Sequence, residues 1–136
     1  MSHPIYFISG RYIMKMEEFK TALNNARSDM NKNQLNDRIN EMLLDLHDNL
    51  DEHRGEDNSL DVVREELAEM IQAVSKMIRF GEEDDWYHLL EEYADVLIAL
   101  DVVKHRYHFE KSEIENAKYV KLNRLMKKIQ EKGCII

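Results

Sequence analysis

The chain has 136 residues, room for one domain around one core, and 34% charged beside 43% hydrophobic residues describe a folded protein rather than a disordered one. Nineteen Lys and Arg against 27 Asp and Glu leave a formal net charge of −8, which counts against nucleic-acid binding by bulk charge. Four Gly and one Pro are too few turn residues for a sandwich, a barrel or a doubly wound sheet, so the composition predicts an all-α chain.

Residues 1–13 place alternating aromatic and β-branched side chains around Ser9-Gly10, a pattern equally compatible with a short hairpin and with an arm packed on a neighbour. From Met14 to about Asn31, Met16, Phe19, Leu23, Ala26 and Met30 recur every three or four residues and predict a helix. A second helix begins near Asn33, with Leu35, Ile39, Met42, Leu43, Leu46 and Leu50 as its stripe, and gives way to a polar loop over 51–58. Ser59 suits an N-cap, and Leu60, Val63, Leu67, Met70, Ile71, Val74 and Ile78 mark a helix that stops at Gly81. After a turn at Glu82 to Asp85, a long helix runs from about Asp84 to Tyr107. The last, from near Ser112 to Lys132, carries Ile114, Ala117, Val120, Leu122, Leu125 and Ile129. The whole reads as an antiparallel helical bundle of four to five helices, one compact domain in which residues 1–58 supply an arm and accessory helices and 59–132 the core. The short loop around Gly81 predicts that the 60–80 and 84–107 helices are antiparallel neighbours.

The scarce glycines also remove two ways of holding a nucleotide. Gly10, Gly55, Gly81 and Gly133 are too far apart for GxGxxG, and none begins a GK[ST] loop, so any phosphate must be held by metal ions or basic side chains. The lone Cys134 excludes a disulfide framework and a Cys/His zinc pattern, suits a reducing cytoplasm, and stands one residue too near the end for a prenylation box. The longest apolar run, Val96 to Leu100, has five residues, and Ile5 to Ile8 is too short for a signal-peptide core, so neither secretion nor membrane spanning is expected.

On a helical wheel Glu65, Glu66 and Glu69 share an arc opposite the Leu60/Leu67/Ile71/Ile78 stripe, which taken alone is a solvated face. The next helix has Trp86, Leu89, Leu90, Tyr93, Leu97 and Leu100 as an expected core stripe, and Ile98, Ala99, Val102 and Val103 make its second half apolar almost all round. Glu92 and Asp95 fall on the side that continues into Ala99 and Val102, so they should point at protein, where uncompensated carboxylates cost several kcal/mol. An ExxE facing an ExxD gathers four hard oxygen donors, a set that suits Mg²⁺, with Mn²⁺ as the alternative. A di-iron site wants Glu-x-x-His on two helices, and none of the six His has a Glu three residues before it.

In these residues the chain resembles the MazG-like, all-α nucleoside triphosphate pyrophosphohydrolases, whose EExxE and ExxD motifs read here Glu65-Glu66-Leu67-Ala68-Glu69 and Glu92-Tyr93-Ala94-Asp95 with 22 residues between. The resemblance spans about Leu60 to Ile129. It implies hydrolysis of a (d)NTP between the α and β phosphates to monophosphate and pyrophosphate, with Glu66, Glu69, Glu92 and Asp95 as metal ligands. Glu65 would then be the outer, catalytic carboxylate that orients water or touches a further metal. Lys118, Lys121 and Arg124 recur at three-residue steps, where related proteins carry basic residues that bind substrate phosphate; an ordinary solvated basic face fits them equally. Trp86, Tyr93 and Tyr107 read as core packing before base stacking, and His47, His53, His105 and His108 have no partner at a diagnostic spacing. The rival reading is a non-catalytic acidic helical module that meets a basic partner. The all-round apolar stretch Val96 to Val103 needs cover, which together with the resemblance predicts a homodimer or dimer of dimers.

Overall fold

The computed structural model describes residues 15–52 and 58–133, and among them the chain is all-α, five helices with no strand. These are α1 (Met16–Asp29), α2 (Lys32–Glu52), α3 (Ser59–Arg79), α4 (Glu83–Arg106) and α5 (Lys111–Lys132). The hairpin-or-arm reading of residues 1–13, the reading of 53–57 as a loop and the reading of Cys134 lie outside the described residues. Asp51 and Glu52 correct the loop boundary, since they complete the last turn of α2.

The helix ends follow from local chemistry. Ahead of α2, the Gln34 N–H donates to Asn31 Oδ1 (2.9 Å) and the Asn31 N–H donates to Gln34 Oε1 (3.0 Å), a reciprocal capping box. Ser59 is not the N-cap of α3. It is the first helical residue and is 1% exposed, while Asn58 takes the cap position without a side-chain cap bond. The Phe80 N–H closes α3 on the Lys76 carbonyl (2.9 Å), and Gly81 then turns the chain at φ 61°, where a residue with a Cβ would be strained. At the head of α4 the Glu82 N–H donates to Asp85 Oδ2 (3.1 Å), and Glu83, Asp84 and Asp85 complement the helix dipole.

The chain divides into two compact units, Met1–Val103 and Lys104–Ile136. In the first, α1 is tied to the head of α4 by the Lys20–Asp84 ion pair, and the Lys20 ammonium lies 5.0 Å from the centre of the Tyr87 ring. Asp84 holds the Lys20 pKa above its ordinary value. α2 is tied to α4 farther along by His47 Nε2 and Asp101 Oδ2 at 2.7 Å. Among the described residues the buried apolar side chains are few: Leu50 from α2, Val62 and Ala73 from α3, and Val96, Ala99 and Val102 from α4.

That core overturns two expectations. Leu60, Leu67, Ile71 and Ile78 of α3 are exposed, Ile78 at 79%, and so are Trp86, Tyr93, Leu97 and Leu100 of α4; Leu89 and Leu90 are half-buried. Tyr107, also expected in the core, is exposed too. The buried face of α3 is instead the Val62, Glu66, Ala73 side, and that of α4 is Glu92, Val96, Ala99 and Val102. Small side chains let two helices approach closely, whereas a Leu/Ile ridge on the shared face would hold them apart. The larger residues are left on the outer sides of the pair.

Candidate functional site

The i,i+3 spacing stacks Glu66 and Glu69 on one face of α3, and the same spacing stacks Glu92 and Asp95 on α4. α3 and α4 are consecutive helices, and Glu92 of the second meets the Glu66/Glu69 pair of the first. One carboxylate oxygen from each of Glu66, Glu69 and Glu92 lies within 4.8 Å of the others. Glu66 is fully buried at 0% exposure, Glu92 is 7% exposed, and Glu69 and Asp95 are half-buried. Neither Glu66 oxygen has a hydrogen-bond partner, and neither has Glu92 Oε2. A buried carboxylate without a donor is among the most costly arrangements a core can contain.

The acidities record that cost. Burial, then the charges of Glu69 and Asp95, the nearness of the Glu69 carboxyl and the charge of Glu65, push the Glu66 pKa up to about 7. Burial, followed by the charges of Glu69, Asp95, Glu66 and Glu91, pushes Glu92 up to about 8. Asp95 is raised by burial and by Glu69. A proton is one way to relieve such a cluster up to near-neutral pH, and a divalent cation is another. The donor set is all oxygen and carries several negative charges, which fits a hard cation of the Mg²⁺ or Mn²⁺ type and gives a soft one no ligand.

Glu65 is exposed and sits at the outer edge, close enough for its charge to raise the Glu66 pKa. Lys118, Lys121 and Arg124 lie on α5 in the second unit, all exposed. They border a trough of about 920 Å³ whose apolar lining is Phe109, Ile114, Ala117, Leu122 and Leu125, with Lys128 on the same border. Lys118 Nζ is 3.5 Å from Glu115. The structure therefore brings three of the four expected ligands, Glu66, Glu69 and Glu92, to one point, with Asp95 outside that group but close enough for its charge to raise the pKa of Glu66 and Glu92, and it sets the three cations along one helix of the other unit.

Two residues at the cluster were not singled out as site residues. Glu91 is half-buried with its pKa raised by burial, Asp95 and Glu69, and it makes Glu91-Glu92-x-x-Asp95 a counterpart of Glu65-Glu66-x-x-Glu69, a signal visible in the sequence. His88, one helical turn before Glu92, places Nε2 3.4 Å from Glu92 Oε1. Burial and the Lys76 charge lower the His88 pKa, against the opposing pull of Asp85 and Glu69. The His47–Asp101 pair joins residues 54 apart in sequence and has no local signature. Compared with protein families, with characterised proteins and with solved structures, the chain gives no match.

Proposed function

We propose that the protein is a Mg²⁺-dependent, MazG-like nucleoside triphosphate pyrophosphohydrolase that cleaves a (d)NTP between the α and β phosphates. The observation that carries this reading is Glu66, a carboxylate buried on α3 with both oxygens partnerless and facing Glu69 and Glu92. Glu66, Glu69, Glu92 and Asp95 would hold the cation, with Mn²⁺ as the alternative ion. A divalent ion held there supplies Lewis acidity toward the triphosphate and lowers the pKa of a bound water. Glu65, which is exposed, would accept a proton from the attacking water. Lys118, Lys121 and Arg124 are the proposed contacts to substrate phosphate. A non-catalytic acidic docking module would carry its charge at the surface, and the burial of Glu66 and Glu92 counts against it.

The exposed apolar sides of α3 and α4 support a homodimer or dimer of dimers, and no helix among the described residues is long and apolar enough to cross a membrane. The proposed partners are the nucleotide and a second copy of the chain, with neither nucleic acid nor membrane, and the proposed setting is the cytoplasm. The deciding experiment is a pyrophosphate-release assay over the common NTPs and dNTPs, with Mg²⁺ and with excess chelator. Release with Mg²⁺ that stops on chelation is expected, together with monophosphate in equal amount. Absence of release from every nucleotide would end the enzymatic reading.

A further inference from the structure

The two oxygens of Glu92 stand in different surroundings. Oε1 is 3.4 Å from His88 Nε2, a polar contact between two side chains on one turn of α4. Oε2 is buried and has no hydrogen-bond partner. Glu92 thus has one oxygen engaged by its own helix and one open, next to Glu66, whose two oxygens are both open. His88 is itself only partly exposed, with its side chain at 28% against 10% for that of Glu92, so the ring is confined beside the carboxylate.

We infer that His88 is a positioning residue, which by donating from Nε2–H to Glu92 Oε1 turns Oε2 toward the cation. The inference rests on the reading of the carboxylate cluster as a divalent-cation site. A free Glu side chain has three rotatable bonds, and its ordering must be met from the binding free energy when the ion arrives. A carboxylate already held on one oxygen has lost much of that freedom, and partners of this kind govern affinity without touching the ion. At 3.4 Å the contact is longer than a tight N–H···O bond, which places the expected effect at the lower end of what such partners contribute.

The test is calorimetric titration of the chelator-treated full chain with Mn²⁺ and with Mg²⁺, needing no substrate. Five proteins are compared: unmodified, His88→Leu, His88→Gln, Glu92→Gln and the Glu92→Gln/His88→Leu double variant. His88→Leu should weaken both ions about tenfold. His88→Gln, whose amide still donates from a similar reach, should recover most of that loss. In the Glu92→Gln background, His88→Leu should cost nothing further, because its effect passes through Glu92. If His88→Leu does not fold by circular dichroism, His88→Asn, too short to reach Oε1, takes its place with the same expected weakening. Unaltered affinity in these variants would overturn the assignment. So would a loss that persists in the Glu92→Gln background, or one confined to Mn²⁺, which would make His88 a direct nitrogen ligand. Failure of the unmodified chain to bind either ion would remove the cation site itself, a result distinct from unmodified protein and His88→Leu binding alike.

Discussion

The two sides of the α3/α4 pair reverse the usual distribution of polarity. The side turned inward carries Glu66 at 0% and Glu92 at 7% exposure among Val and Ala, while the outer sides carry Leu60, Leu67, Ile71, Ile78, Trp86, Tyr93 and Leu97. A chain folding for burial of apolar area alone would turn both helices the other way, since each buried Leu or Ile contributes about 1.5–3 kcal/mol. The inward carboxylates are explained when a cation belongs between them, and the outward leucines when a second protein surface belongs over them. Each explanation can be broken separately.

Asp95→Asn should have the largest effect. It keeps the side-chain shape and removes one charge, so divalent-ion affinity should collapse and turnover fall with it by about 100-fold or more. Without metal, one fewer mutual repulsion should make the variant harder to unfold by on the order of 1 kcal/mol. Thermal melts of both proteins with and without Mg²⁺, beside the pyrophosphate assay, read all three effects, since Mg²⁺ should raise the unmodified melting temperature far more than that of the variant. A full Mg²⁺-dependent rise in the variant would take Asp95 out of the ligand set.

The pH dependence of the metal-free chain comes next. Glu66 and Glu92 have folded-state pKa values near 7 and 8, above the ordinary carboxylate range, so over this interval the folded state binds more protons than the unfolded one. Their contribution to stability is complete below the ordinary carboxylate pKa and is lost as pH rises through about 7 to 8. Chelated protein should therefore lose stability, by on the order of several kcal/mol, between pH 5 and pH 8.5, followed by denaturant melts, and saturating Mg²⁺ should flatten or invert the slope. A chelated protein that gains stability over that range would mean that the cluster is ionised and satisfied without a metal.

The outer sides are tested by Ile71→Glu and Leu97→Glu. On exposed positions of a lone chain such changes stay within about 0.5 kcal/mol. Across a subunit interface they should convert the assembly to monomer, as measured by sedimentation or light scattering at micromolar concentration. A stable monomer before any substitution would leave the outward leucines without the proposed explanation. The smallest effect expected is that of Lys118→Ala, Lys121→Ala or Arg124→Ala, each raising KM for nucleotide about threefold to tenfold with the fold intact, the loss of one charge-assisted contact at an exposed helix. Unchanged kinetics would return all three to an ordinary solvated face.

Much of this molecule is determined by the sequence alone, because helix formation depends on neighbours one turn apart. The scarcity of Gly and Pro, the three-and-four periodicity and the stop at Gly81 place all five helices to within a few residues of Met16–Asp29, Lys32–Glu52, Ser59–Arg79, Glu83–Arg106 and Lys111–Lys132. The i,i+3 carboxylates on consecutive helices likewise make the meeting of Glu66, Glu69 and Glu92 legible, and the expectation that Glu92 points at protein holds. Which side of α3 faces inward is another matter. Periodicity identifies two distinct faces, and hydrophobicity assigns the Leu60/Leu67/Ile71/Ile78 side to the interior, where the tertiary structure places Val62, Glu66 and Ala73. Only the packing of α3 against α4 decides this, since the small residues permit the close approach that brings the carboxylates together. The His47–Asp101 and Lys20–Asp84 ties are tertiary for the same reason: they join residues 54 and 64 apart, and no local pattern encodes a contact at that separation.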